Sequence, residues 1–306
     1  MPYARRTSYR RPYRRPYRRY ARKSPVRRTY PARRRTTSRR RSGMSRKSLL
    51  NITSRKKQDT MLVVTNTTAS TPVGGPQYLT QTATLVGGLT YVIPWIATAR
   101  DNTLSPGSGG TISDKDTRTA MTCYMRGLKE RIQIQTNSGM PWQWRRICFT
   151  VKGDGLTQRI ESAYRLFYED SAGWRRLVNN IRSSNMNAAL NDVLFQGTDG
   201  KDWNNYFNAK VDRTRVTVRY DKTTSIRSGN AEGMMREYQR WHPMNHNLVY
   251  DDEEDGGGIK EQYFSTTGKA GMGDYYVVDF ISAGSDATTA DVLTFNPQAT
   301  LYWHEK

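Results

Sequence analysis

The chain has 306 residues, of which 49 are Lys or Arg and 27 are Asp or Glu, so its formal net charge is +22. It contains neither an apolar run long enough to cross a bilayer nor the apolar core of a secretory signal, so we expect no membrane insertion and no secretion. A basic excess of this size points to a polyanionic partner.

The positive charge is concentrated in the first 58 residues. This segment holds 19 Arg and 4 Lys and no acidic residue, whereas residues 59–306 hold the remaining 26 basic residues against all 27 acidic ones. Up to residue 48, Val26 and Met44 are the only aliphatic side chains larger than alanine apart from Met1 and five prolines. So little apolar surface cannot offset the entropy of ordering, and we predict a disordered basic arm (residues 1–58) followed by a globular domain (residues 59–306).

Arginine and tyrosine are interleaved in the arm, as in the run RRPYRRPYRRYARK at residues 10–23. The planar guanidinium can donate two hydrogen bonds to a phosphate, and tyrosine rings stack on exposed bases with little sequence preference. Both properties favour single-stranded nucleic acid over a membrane surface, which would usually need apolar anchors. The residues predicted to bind nucleic acid are Arg5, Arg6, Arg10, Arg11, Arg14, Arg15, Arg18, Arg19, Arg22, Lys23, Arg27, Arg28, Tyr9, Tyr13, Tyr17 and Tyr20.

Clusters of Arg and Lys in an accessible segment are also typical of a nuclear import signal. The residues predicted to engage host nuclear import receptors are Arg33, Arg34, Arg35, Arg39, Arg40, Arg41, Arg46 and Lys47. A mitochondrial transit peptide is basic too, but the prolines of residues 10–17 argue against the amphipathic helix that it requires. A merely solubilising tail is the remaining alternative.

The body shows the period-two alternation of β-strands. In RVTVRY, Val216, Val218 and Tyr220 share one face, and arginine and threonine occupy the other. The run at residues 119–135 changes phase at Gly127, as at a bulge or a corner. In chain order, the predicted strands cover residues 60–65, 89–96, 119–135, 143–151, 215–220, 274–281, 290–295 and 299–305.

One segment has helical spacing instead. In SSNMNAALNDVLFQG, the apolar residues Met186, Leu190 and Val193 recur at helical intervals, a Ser or Asn cap precedes them, and Gly197 follows. We therefore predict one short helix inserted between two strands. About eight strands with long loops favour an all-β fold, namely a single jelly roll, an eight-stranded antiparallel sandwich.

No motif marks a catalytic centre, and we expect neither enzymatic activity nor a cofactor. His242 and His246 have the i,i+4 spacing of helical metal ligands, but Pro243 lies between them, so structural histidines are favoured and no metal site is predicted. The acidic residues 251–255 lack the spaced ligands of a calcium loop, which favours a solvated or partner-facing loop.

The cysteines and tryptophans are expected to be mainly structural. Cys123 and Cys148 lie in predicted strands of a chain without a secretory signal, which favours reduced, buried thiols over a disulfide. Most of the seven tryptophans should fill the core. One or two of Trp174, Trp203 and Trp241, which we place in loops, are expected to anchor neighbouring molecules.

Three stretches near the C-terminus, together with the basic arm, carry a resemblance to a known family. They are YDDEEDGGG (250–258), GMGDYYVVDFI (271–281) and ATLYWHEK (299–306). On these residues the chain resembles the capsid proteins of genomoviruses, small circular single-stranded DNA viruses associated with fungi. More distantly, it is similar to geminivirus capsid proteins. The resemblance implies a jelly-roll subunit, a T=1 icosahedral shell of about sixty identical copies, packaging of circular single-stranded DNA, and location in the virion and the host nucleus.

The alternative is a non-shell single-stranded nucleic-acid-binding chaperone or nuclear shuttle protein. Such a protein should present a basic groove on its body. Residues 59–306 carry 26 basic and 27 acidic residues, which favours the capsid. The basic pairs Arg145–Arg146 and Arg175–Arg176 nevertheless leave a local basic patch open.

Overall fold

The computed structural model describes residues 44–104, 108–161 and 163–306, and Arg46–Lys306 form one compact unit. Two α-helices lie within these ranges, α1 (Arg46–Thr53) and α2 (Asn185–Leu194). Neither of them is long and apolar enough to span a membrane. The strands are β1 (Arg55–Met61), β2 (Val63–Thr65), β3 (Ala83–Val86), β4 (Thr90–Ile96), β5 (Thr103–Leu104), β6 (Ser108–Gly109), β7 (Thr122–Thr136), β8 (Trp142–Val151), β9 (Glu169–Asp170), β10 (Gly173–Trp174), β11 (Arg176–Val178), β12 (Thr217–Ile226), β13 (Met234–Val249), β14 (Glu253–Asp255), β15 (Gly258–Lys260), β16 (Asp274–Ala283) and β17 (Val292–Glu305).

The first sheet is built around the long strand β17. Its strand order is β1-β17-β7-β13, and β3 pairs with the part of β17 that β1 leaves uncovered. Arg55 of β1 lies opposite Glu305, whereas Val86 of β3 lies opposite Val292. All of these pairings are antiparallel, so two strands that are distant in sequence together cover one edge of β17.

The second sheet has the order β12-β8-β16-β4 and is also antiparallel. Its central strands are buried on both faces: Val277 packs between the two sheets, and Val278 packs against the segment that covers the outer face. Burial on both faces explains why the sequence DYYVVDFI reads as a nearly continuous apolar run rather than as an alternation.

The order of the strands defines the topology. Counted along the chain, the eight sandwich strands are β3, β4, β7, β8, β12, β13, β16 and β17. The first, eighth, third and sixth of them lie side by side in one sheet, and the second, seventh, fourth and fifth in the other. This is the order of a jelly roll, formed by two Greek keys. The predicted all-β antiparallel sandwich is confirmed.

The connection from β8 to β12 covers the outer face of the second sheet. It contains a 3-10 turn (Thr157–Arg159), the short strands β9 to β11, and α2. The helix buries Met186, Leu190 and Leu194 against this face, and Gly197 follows with a φ of 82°. The predicted inserted helix is confirmed.

Large apolar side chains fill the space between the two sheets. The buried tryptophans are Trp95, Trp142, Trp144 and Trp303. Trp174 and Trp203 are partly buried against the core, whereas Trp241 is 50% exposed. Trp241 lies on β13 rather than in the loop that we predicted. Cys123 and Cys148 are free and buried, as predicted.

Strand β7 changes phase at Gly127, as predicted. Cys123 and Met125 are buried before this point, and Leu128 is buried directly after it. The register of β7 shifts here against both β13 and β17. Gly127 has a φ of 155°, and a Cβ atom at this position would lie 2.6 Å from the carbonyl oxygen of His242, so the bulge requires glycine.

The strands differ from the prediction in several places. Residues 290–295 and 299–305 belong to one strand, β17, and residues 60–65 are divided between β1 and β2. Two sandwich strands were not predicted. β3 is only four residues long, and β13 is an edge strand whose exposed residues interrupt the apolar pattern by which strands are recognised.

Part of the segment assigned to the arm lies in the first sheet. Helix α1 precedes β1, and β1 crosses the predicted boundary between residues 58 and 59. Lys57 of β1 is buried, and its Nζ lies 3.2 Å from the carboxylate of Glu305. The sheet therefore begins at Arg55.

We predict that removing residues 1–45 leaves the unfolding temperature nearly unchanged, whereas removing residues 1–58 lowers it. The longer deletion removes Lys57 and leaves the Glu305 carboxylate buried without its cation, and breaking a buried ion pair costs about 3–5 kcal/mol. Thermal unfolding followed by far-UV circular dichroism measures the difference. Lys57→Met in the full-length chain should reproduce much of the loss. Equal unfolding temperatures for all of these proteins would contradict the role given to β1.

Candidate nucleic-acid interface

Most of the predicted binding residues lie outside the described part of the chain. This applies to every residue from Arg5 to Arg28 that we expect to bind nucleic acid, and to the import clusters at residues 33–35 and 39–41. Arg46 and Lys47 are the exceptions, because they form the first turn of α1. The described chain enters the first sheet through α1 and β1.

The solvent-facing side of the first sheet, which we call the open face, carries basic and aromatic side chains. Its residues of interest are Lys56, Tyr124, Arg126, Lys129, Arg131, Trp241, Tyr302 and His304. The register places Lys129 of β7 directly between Thr300 of β17 and Trp241 of β13. On the neighbouring pair of strands, β1 and β17, Lys56 lies opposite His304.

Three cations of the open face have no acidic partner. Among the described residues, no carboxylate lies within 4.0 Å of the charged groups of Lys56, Arg126 or Lys129. Lys56 donates to the carbonyl of Asn51 (2.8 Å), and Arg126 donates to the side-chain amide oxygen of Asn245 (2.7 Å). Neutral acceptors leave these positive charges uncompensated and able to attract an anion.

The other basic side chains of the open face, Arg131 and His304, are consistent with a positive charge that comes from Lys56, Arg126 and Lys129. Arg131 is the paired cation, with its Nη2 2.8 Å from Glu237. Burial, followed by the charges of Arg126 and Lys56, holds the pKa of His304 below its usual value. His304 is therefore neutral at pH 7, and the positive charge of the face comes from lysine and arginine.

The basic pairs Arg145–Arg146 and Arg175–Arg176, for which the sequence left a local patch open, do not form one. Arg145 binds Asp221 at 2.7–2.9 Å and also donates to backbone carbonyls. Arg175 binds Asp170 at 2.9 Å. Arg146 and Arg176 are buried inside the sandwich. All four guanidinium groups therefore donate hydrogen bonds to acceptors of the same chain.

Arg146 and Arg176 belong to a buried charge network. Its members are Glu130 of β7, Arg146 of β8, Arg176 of β11 and Asp279 of β16, each at most 2% exposed. Arg146 binds Asp279 through two hydrogen bonds of 2.7 and 2.8 Å and also contacts Glu130. Arg176 lies 3.0 Å from each of the two carboxylates. Two cations and two anions therefore neutralise one another where the sheets meet.

Aromatic rings complete the surroundings of the network. The indole Nε1 of Trp144 donates to Asp279 (2.7 Å), and the guanidinium of Arg176 lies 4.3 Å from the ring centroid of Trp95. Burial alone would raise the pKa values of Glu130 and Asp279, but the charges of the two arginines outweigh it and hold both pKa values below their usual range.

The histidines and the acidic loop form no joint site. His242 is buried, and burial lowers its pKa to about 4, whereas His246 is exposed beyond a bulge at Asn245 (φ 52°). In residues 251–255, Asp252 is buried and binds Arg118, and the carboxylates of β14 are exposed. Within the described ranges, no group of three or more His, Cys, Asp or Glu side chains could hold a metal ion.

The sequence contained a signal for the open face that we did not use. In the run KERIQIQ, Lys129, Arg131 and Gln133 alternate with buried residues, which marks one solvated face of a strand. The partners of this strand, and therefore the place of Trp241 beside Lys129, follow only from the sheet order.

Comparison of the chain with models of known families and with curated proteins finds no match. Its function is therefore argued from charge, topology and the geometry of the open face.

We predict that Glu130→Gln lowers the free energy of unfolding by about 3–5 kcal/mol at neutral pH, because it leaves two buried arginines with one carboxylate. Glu237→Gln is the matched control, since it neutralises the exposed partner of Arg131 and should change stability little. Denaturant unfolding measures both variants. Equal losses of unfolding free energy for the two variants would contradict the proposed contribution of the network to stability.

The network also predicts a pH dependence. Since the folded-state pKa values of Glu130 and Asp279 lie below their unfolded values of about 4.3 and 3.9, the network contributes fully above those values. The contribution is lost as the pH falls through the lower, folded-state values. The advantage of the wild-type protein over Glu130→Gln should therefore shrink in acid.

Proposed function

We propose that the protein is a structural capsid protein that assembles into a small icosahedral shell and packages circular single-stranded DNA through its basic N-terminal arm. The observation that carries the proposal is that the positive charge is concentrated in the N-terminal segment, outside the eight strands of the sandwich. The first 58 residues hold 23 basic residues and no acidic one, whereas residues 59–306, which contain all eight sandwich strands, hold 26 basic and 27 acidic residues.

A nearly neutral body and a strongly basic segment suit the two tasks of such a subunit, which are contact with identical copies and binding of nucleic acid. Identical bodies that must lie against one another repel least when their net charge is small, whereas a strand of nucleic acid needs a concentrated counter-charge. If about sixty copies assemble, residues 1–54 of each copy bring 20 basic residues, or roughly 1,200 positive charges in all, each able to neutralise one phosphate at most. Copies of the chain itself and a single-stranded DNA genome are therefore the proposed partners.

The remaining parts of the proposal rest on the arm. Its clustered Arg and Lys residues support recognition by host nuclear import receptors and a life divided between the host nucleus and the virion. We propose no enzymatic activity. In the described part of the chain, a recess of about 420 Å³ lies beside Arg182. No His, Cys, Asp or Glu side chain lines this recess.

A non-shell single-stranded nucleic-acid-binding chaperone or nuclear shuttle protein is the second candidate. The observation that favours it is the open face, because Lys56, Arg126 and Lys129 give the body a local cationic surface despite its small net charge.

Negative-stain electron microscopy of the purified full-length protein, with and without single-stranded DNA, separates the two candidates. The capsid proposal expects closed particles of uniform diameter. Irregular protein–DNA complexes without closed particles, under every salt condition tried, would favour the chaperone.

We predict that binding of single-stranded DNA depends steeply on salt. Each phosphate contact contributes a slope of about −0.7 in log affinity against log salt, so eight to ten contacts give about −6 to −7. Changing Arg10, Arg11, Arg14 and Arg15 to alanine should flatten the slope by about 3. Changing Tyr9, Tyr13, Tyr17 and Tyr20 to alanine should weaken binding but leave the slope nearly unchanged, because stacking releases no ions. A shallow slope for the intact protein would count against the arm as the packaging device.

A further inference from the structure

An aromatic pair stands at the centre of the open face. Trp241 of β13 is 50% exposed, and its ring centroid lies 5.9 Å from that of Tyr302 on β17. The two strands are not neighbours, since β7 runs between them. The indole therefore reaches across a whole strand to meet the tyrosine.

Gly127 makes this reach possible. It lies directly opposite Tyr302 in the pairing of β7 with β17, and a Cβ atom at this position would lie 2.7 Å from Cζ2 of Trp241. The indole thus occupies the place that a side chain on β7 would fill. The glycine that creates the bulge in β7 also holds the aromatic pair in a defined position on the surface.

The aromatic pair is surrounded by cations rather than by apolar residues. Lys129 lies opposite Trp241 on the adjacent strand, and Arg126 comes directly before Gly127. Neither cation has a carboxylate within 4.0 Å among the described residues. Tyr302 is partly buried, so Trp241 is the more accessible of the two rings. Accessible rings beside uncompensated positive charges are the chemistry by which proteins hold single-stranded nucleic acid, with bases on the rings and phosphates on the cations.

We propose that the open face is a second binding surface for single-stranded nucleic acid, in addition to the arm. Bases stack on Trp241 and Tyr302, and the phosphates between them are bound by Lys129 and Arg126. The inference takes the identity of the polyanion from the proposed function, but it does not depend on the arm or on the assembly of a shell.

A second copy of the chain fits this face less well. The centre of a protein–protein interface is usually depleted of charged residues, whereas here unpaired cations adjoin the exposed ring. Two open faces brought together would also place like charges opposite one another. A DNA duplex is disfavoured too, because its bases are already stacked and cannot reach the rings.

Binding of a short oligothymidine to the full-length protein, followed by affinity across a salt series and by tryptophan fluorescence, tests the proposal. Trp241→Ala should weaken binding at least about fivefold without changing the salt slope. Lys129→Ala should flatten the slope by about 0.7. Trp241→Phe keeps a ring for stacking but removes the exposed indole, so it should retain most of the affinity and lose most of the fluorescence quenching.

Met235→Ala is the matched control, because Met235 is 63% exposed on the same strand, and it should alter neither affinity nor quenching. Thermal unfolding checks that every variant is folded. Trp241→Phe, the smaller change, keeps the test valid if Trp241→Ala does not fold.

The outcomes separate this inference from the proposed function. If the arginine variant of the arm weakens binding but Trp241→Ala does not, the open face is not a binding surface and the capsid proposal stands. If the intact protein does not bind oligothymidine, both fail. If assembly without DNA shields Trp241 from acrylamide, the face is a contact between copies and the inference is overturned.

Discussion

The charge network of Glu130, Arg146, Arg176 and Asp279 is the constraint on which the rest of the fold depends. It joins one strand of the first sheet, two of the second, and β11 of the covering segment. Removing any one member leaves a buried charge without its partner, which costs far more than an exposed ion pair contributes. We infer that the network helps to fix how the two sheets lie on each other, because a shift of one sheet would separate the buried charges.

Ion pairs within the chain also limit which arginines are available to other molecules. Arg145, Arg146, Arg175 and Arg176 are engaged inside the fold or with neighbouring carboxylates, so these four form no basic patch. The second sheet is covered by α2 and its flanking segment, whereas the first sheet keeps one face open, and the cations without acidic partners at Lys56, Arg126 and Lys129 lie on that face.

How much could be predicted from the sequence depended on whether a feature is local. The phase change at Gly127 and the helix at Asn185–Leu194 follow from patterns within a few residues, and both are confirmed. Strand β13 was missed because an edge strand alternates weakly. His242 and His246 both lie on that strand, so their i,i+4 spacing does not place them on one face of a helix. Residues that neutralise one another across the sandwich cannot be recognised before the sheet order is known.

The pairing of Arg55 with Glu305 has a consequence for how the molecule folds. Almost the whole body lies between β1 and β17 in the sequence, so bringing these two strands together closes a long loop at a cost in entropy. Folds dominated by such distant pairings form slowly. Strand β1 can attach only to a β17 that already exists as a strand, so we infer that its attachment comes late. A chain that has not finished folding would then leave α1 and β1 unattached to the sheet. Attachment of β1 would in this way mark the completion of the first sheet.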